Sequence, residues 1–319
     1  MSVSELLSLN LGSPAVLAFA LGLIAALLKS DLRFPESVTS LLSSYLLLAI
    51  GIKGGIQIRK ADLGDLALPV VITLIIGVIA PLVAYYGARR FVRLDVANAA
   101  SMAAHYGSVS AVTFTAAESF AQAAGTLDEG YMAALVALLE VPGIVVAMVI
   151  ASLVMGALPL KKAMHEVVTG KSVMLLIGGI AIGLIATTKS MGKVEPFFIG
   201  LFPGVLCLFL VDLGTLAGQR LAVLRSAGWR IVAFAVAIPI IFGMLGVVGG
   251  IIGGLSVGGA GVLGAMAGSA SYIAAPAAVR VGIPQADLGV SLGAALGMTF
   301  PFNLAIGIPL YHEIAKLLG

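Results

Sequence analysis

The chain has 319 residues, of which 60% are hydrophobic and only 10% charged, with a formal net charge of +3. A soluble domain of this length could not cover its surface with so few charges, so the solvent it faces is lipid. The slight positive balance gives no footing for nucleic acid. The single Cys207 rules out an internal disulfide, and no Cys/His cluster offers a transition-metal site.

The opening MSVSELLSLN carries Glu5 and no basic residue before the first apolar run. It therefore predicts a retained first helix in place of a cleaved signal peptide. Apolar runs of about 20 residues then predict ten crossings of an all-α polytopic membrane protein. In chain order these are 14–28, 37–54, 66–88, a broken span 97–121, and 132–157. A hinge loop, 158–171, separates them from 172–188, 196–218, 229–253, a second broken span 259–279, and 288–318. The forty glycines fit helices that touch at small residues, and Gly246, Gly250, Gly254 and Gly258 read as one such packing face.

The two halves repeat one another. Gly51 and Gly55 align with Gly214 and Gly218 at an offset of 163, and the same offset carries HYGSVSAVTFTA onto GSASYIAAPAAV. Near the end the offset slips to 159, pairing Pro142 with Pro301. Five spans per copy is an odd number, so residues 1–157 and 172–319 would insert as inverted repeats around two discontinuous helices. With the N-terminus outside, the inner loops hold twelve of the eighteen basic residues, from Lys29 to Arg280. This predicts both termini outside and a cytoplasmic hinge.

Chemistry concentrates at the breaks. Gly107 can interrupt a helix, and Ser108, Ser110 and Thr113 add hydroxyl oxygens suited to a hard cation such as Na+. The amides that open the following half-helix suit a small anion. The second break supplies Ser269, Ser271 and Tyr272 ahead of Pro276. Glu140 lies in ALVALLEVPGIVV, where a carboxylate is costly. It reads as a Na+ ligand, a proton carrier, a partner of a pore hydroxyl, or an interface residue beside a kink. Asp212 has Ala49 as its repeat equivalent and reads as a gate, a subunit contact or a site residue. His105 reads as a packing residue or a proton carrier, and Thr299 and Asn303 flank Pro301 within reach of the same region. No Ser/His/Asp set, paired acids or Walker-type loop supports an enzyme, and no cofactor is expected.

The run YGSVSAVTFTAA, the Glu140-Val141-Pro142 step and APAAVRVGIP, with Pro301 and Ile308-Pro309 downstream, resemble the sodium-dependent bicarbonate transporter superfamily. Its cyanobacterial members are high-affinity bicarbonate transporters. The opening from Ser13 through LAIGIKGG follows the same pattern. The resemblance implies ten helices in core and gate units, a homotrimer in a bacterial inner membrane, and Na+-coupled bicarbonate symport by elevator-like movement. It places Tyr106, Gly107, Ser108, Ser110 and Thr113 on the family's first broken-helix motif, and Ser269 and Ser271 on its second. The chain departs from the cyanobacterial pattern in the second break, where Gly268-Ser269-Ala270-Ser271-Tyr272 stands in place of a serine run followed by Asp. The hinge is also shorter than the cyanobacterial insert, which leaves a PII-type regulator little to hold. A transporter of a small organic carboxylate, with Tyr272 selecting the solute, and a passive anion channel are the rival readings.

Overall fold

The computed structural model describes residues 3–156 and 160–319. Among them every regular element is a helix. A short helix α1 (Val3–Leu11) bends by 61° into α2 (Pro14–Leu27). Long α3 (Glu36–Ile58) and α4 (Leu63–Gly87) follow. The first broken pair is α5 (Val96–Tyr106) and α6 (Ala111–Ala123). Pro142 has no amide hydrogen to donate, and the next span divides there into α7 (Met132–Glu140) and α8 (Pro142–Met155).

The second half opens with α9 (Leu160–Thr169), which bends by 47° into α10 (Lys171–Ile185). Then come α11 (Thr188–Glu195), α12 (Phe202–Ala227) and α13 (Trp229–Ile252). The second broken pair is α14 (Val257–Ala267) and α15 (Ala274–Gly282). Last are α16 (Leu288–Ala294), α17 (Phe300–Phe302) and α18 (Ile308–Leu318), joined by π-helical turns at Ala295–Thr299 and Asn303–Gly307. Pro301 sits between those turns and cannot donate to the helix ladder. Asn10 of α1 donates to the Leu304 carbonyl (2.6 Å) within the second turn.

Among the described residues six helices are long and apolar enough to cross a membrane, or up to eight if each bent pair is one span. Leu17, Leu21 and Ile24 on α2, and Val71, Ile75 and Val78 on α4, are apolar side chains left exposed on the outside of the protein. That is the surface a lipid solvent demands.

Two groups of helices pack against each other within one continuous hydrophobic core. In the first, α2 packs along α12, α3 along α10, and α12 also meets α3. The contacts are backbone-close. A Cβ on Gly51 or Gly179 would come within 2.9 Å of the other glycine's Cα, and Gly214 stands in the same relation to Gly22 (3.0 Å). Thr39 of α3 donates to Asp212 Oδ2 of α12 (2.7 Å), so this acid ties two helices of one set together. The second set holds α4, the broken pairs, α7–α8, α13 and the C-terminal helices, of which α16 also meets α12.

Two expectations change. Gly246 and Gly250 of α13 do pack on α14, but α13 ends at Ile252 and Gly254 turns the chain with φ +77°. Gly258 then lies on α14 against Thr126, so the four glycines do not form one helix face. The segment expected as a hinge loop is largely the helix α9, whose buried Ala163 packs near Gly282 of α15. Residues 158 and 159 of that hinge lie outside the described residues.

Candidate functional site

The broken helices meet at their interruptions. Ser110 is the N-cap of α6, its hydroxyl accepting from the Thr113 amide (3.1 Å). Its own amide donates to Ser269 Oγ (2.8 Å) across the gap. In the other direction the Ser271 amide donates to the His105 carbonyl (2.8 Å). Backbone freed by one break is thus satisfied by the other, which meets the rule that no polar group stays unpaired in an apolar interior.

Side chains close the junction. Ser110 donates from its hydroxyl to Tyr272 Oη (3.2 Å), and Tyr272 packs edge-on against Phe300 (5.5 Å between centroids). Ser271 Oγ accepts from the Ala275 amide (3.3 Å), near the start of α15. Ser110, Glu140, Ser271 and Tyr272 line one small cavity with Leu47 of α3 and Ser172 of α10, and it has room for about one water. Glu140 is 3% exposed, and its Oε2 is buried without a hydrogen-bond partner.

The remaining expected residues act differently. Ser108 donates to the Glu140 carbonyl (2.9 Å), anchoring the first break to the end of α7. Tyr106 pairs with Thr299 Oγ1 (2.8 Å), which donates onward to the Ala235 carbonyl (2.6 Å). Ser269 donates to the Met266 carbonyl (2.7 Å). Gly107 meets Gly143 so closely that a Cβ on Gly107 would come 3.0 Å from the Gly143 Cα. Tyr106, Gly107, Ser108, Thr113 and Ser269 lie outside the cavity lining. Asn303 donates to the Gly268 carbonyl (2.8 Å), while the Tyr311 hydroxyl reaches Asn303 Oδ1 (3.0 Å) and the Pro239 carbonyl (2.9 Å). His105 is fully buried, its Nδ1 on the Ser101 carbonyl (2.8 Å) and its Nε2 unpartnered.

One feature of this region escaped the sequence reading. Lys53 of α3 and Glu118 of α6 form an ion pair (2.9 Å) that joins the two helix sets, with the Glu118 side chain 5% exposed. An acid in the apolar run of a broken span was the available signal. Its cation, on a distant helix, had no sequence spacing to reveal it. The far ends of α5 and α14 are also held. Asp95 caps α5 through the Asn98 amide (2.9 Å), and Asn98 Oδ1 accepts from the Asp287 amide (2.7 Å). At α14, Ser256 caps through the Gly259 amide (3.0 Å) and donates from its hydroxyl to Glu129 Oε2 (2.7 Å).

Among the described residues no group of three or more His, Cys, Asp or Glu could hold a metal ion. The family model of the Na+-dependent bicarbonate transporter superfamily matches residues 14–316, nearly the whole chain. The chain belongs to this superfamily. The resemblance carried by the two breaks and the Glu140–Pro142 step therefore holds, and the protein is a membrane transporter and not an enzyme. No curated protein matches the chain.

Proposed function

We propose that the protein is a Na+-coupled symporter that imports bicarbonate, or a similar small anion, through the junction of its two broken helices. The observation that carries this reading is the cavity where Ser110, Ser271, Tyr272 and the unpartnered Glu140 carboxyl converge. Hydroxyls and carboxylate supply Na+ ligands, with Thr113 behind them on α6, and the bound cation offsets anion charge that neither ion could bring into the interior alone. Tyr106, Gly107, Ser108 and Ser269 hold the breaks in the shape that presents those ligands.

Reciprocal packing supports inverted repeats of five spans each. The second helix of each half lies on the first apolar span of the other, α3 on α10 and α12 on α2. Each half also begins with a short bent helix, α1 or α9. Adding the two broken pairs to the eight spans makes ten crossings. The set α2, α3, α10 and α12 serves as a fixed gate unit, and the set with the breaks as the moving core of an elevator. A cavity of water size cannot take bicarbonate as it stands, so loading requires the two sets to part. The same closure opposes a passive channel, which needs a continuous polar path.

The excess of Lys and Arg in the loops taken as inner supports both termini outside, and a bacterial inner membrane is the location proposed. A homotrimer is the assembly proposed, and the short hinge argues against a PII-type regulator. The test is uptake of labelled bicarbonate into proteoliposomes with and without an inward Na+ gradient. Uptake indifferent to Na+ overturns the coupling, and a Ser110→Ala, Ser271→Ala double variant that transports normally overturns the site. Uptake of a small organic carboxylate in preference to bicarbonate overturns the solute, and single-channel currents overturn the carrier.

A further inference from the structure

A second cavity, of about 180 Å³, lies between α3, α6 and the start of α12, away from the junction. Lys53, Glu118, Ser119 and Gln122 supply its polar lining, and Phe114 and Phe202 part of its apolar wall. Lys53 is the sole cation among the lining residues, and its side chain is 31% exposed. Glu118 gives one oxygen to Lys53 (2.9 Å), while its Oε1 is buried without a hydrogen-bond partner. A carboxylate oxygen left so in an apolar surrounding calls for a donor. The terminal torsion of a glutamate is soft, so either oxygen can turn to the cavity.

We propose that this cavity is an entry subsite for an oxyanion that also carries an O–H group, as bicarbonate does. Such an ion offers carboxylate oxygens to Lys53 Nζ, Ser119 and Gln122, and its hydroxyl donates to the open Glu118 oxygen. Nitrate and acetate can satisfy Lys53 but bring no donor, and they leave two negative groups facing each other. Glu118 is therefore the discriminating element, and Lys53 the attracting one. The subsite is in line with the junction. Phe114 lies one turn before Glu118 on α6, whose first residue follows Ser110, about 10 Å from Glu118 at the helical rise. This proposal rests on the bicarbonate reading above and deepens it by naming a second station for the same solute.

The test compares wild type with Glu118→Gln and Lys53→Arg, in buffered Na+ gluconate with bicarbonate, nitrate or acetate added. Two readouts are used, thermal stabilisation of the purified protein and uptake in proteoliposomes. Wild type should be stabilised by bicarbonate and not by nitrate or acetate. Glu118→Gln should lose that ranking, with KM for bicarbonate raised about tenfold, the maximal rate unchanged, and nitrate newly able to compete. Lys53→Arg keeps the charge and should keep the ranking. An unchanged anion ranking and KM in Glu118→Gln overturns the subsite. Bicarbonate uptake that fails in wild type, while the ranking in thermal stabilisation still depends on Glu118, overturns the transport reading and leaves the subsite standing.

Discussion

The two breaks serve one junction but are held in different ways. The first is fastened mainly by backbone packing and by serine hydroxyls close to the break. Gly107 lies against Gly143, Ser108 bonds to the Glu140 carbonyl, and Ser110 caps α6. The second depends on longer side chains, one from the C-terminal segment of its own half and one that crosses the junction. Asn303 holds the Gly268 carbonyl, α15 opens at Ile273 without a side-chain cap, and Tyr272 reaches across to Ser110. The first break is thus held by backbone contact and a helix cap, and the second by longer side chains.

The strongest way to break this contrast is Gly143→Ala. A Cβ there would be driven into the Gly107 carbonyl, where only backbone could move aside. We expect a loss of about 3 kcal/mol in thermal unfolding and loss of uptake. Gly178→Ala, which meets open space on α10, should be neutral or slightly stabilising in the same assays. Next comes Asn303→Leu, which leaves the buried Gly268 carbonyl without its donor, at about 2 kcal/mol. Hydrogen exchange should then rise at residues 268–273 and stay unchanged at 107–110. Equal loosening of both breaks would erase the distinction.

A smaller effect sharpens the link between them. Ser110→Ala should cost about 1 kcal/mol through the lost cap. In a double-mutant cycle with Tyr272→Phe, a coupling of about 0.5–1 kcal/mol measures the hydrogen bond across the junction, and zero coupling would show that it is absent.

The smallest expected effect concerns the far ends of the broken helices. At Asp95 partial burial raises the carboxyl pKa, but hydrogen bonds from Asn98 and the Ala97 amide outweigh it and leave it below the ordinary value. A depressed carboxylate stabilises above its unfolded pKa of about 4, and that stability is lost as pH falls through the lower folded value. Acid below about pH 4 should therefore speed exchange at the first turn of α5. Asp95→Asn should abolish that acid effect.

Much of the junction was legible before any fold. Glycine, proline and serine in otherwise apolar runs marked both breaks, and Ser110, Glu140, Ser271 and Tyr272 do share a cavity. Tyr106, Ser108 and Ser269 carry the same hydroxyl chemistry, and their hydroxyls bind Thr299 or backbone carbonyls. Composition marks where a helix is interrupted but not which way each side chain turns once the interruption is packed. The glycine ladder misled because spacing alone cannot show that Gly254 reverses the chain.

Lipid as solvent, the positions of the breaks and the charge bias of the loops follow from residue chemistry along the chain, because each is a local or summed property. The pairing of Lys53 with Glu118, the solitary Glu140 oxygen and the Asn303 support do not. They depend on which helices lie side by side and how each is rotated about its axis. Only tertiary packing sets that, since a buried polar atom is satisfied or orphaned by neighbours far away in sequence.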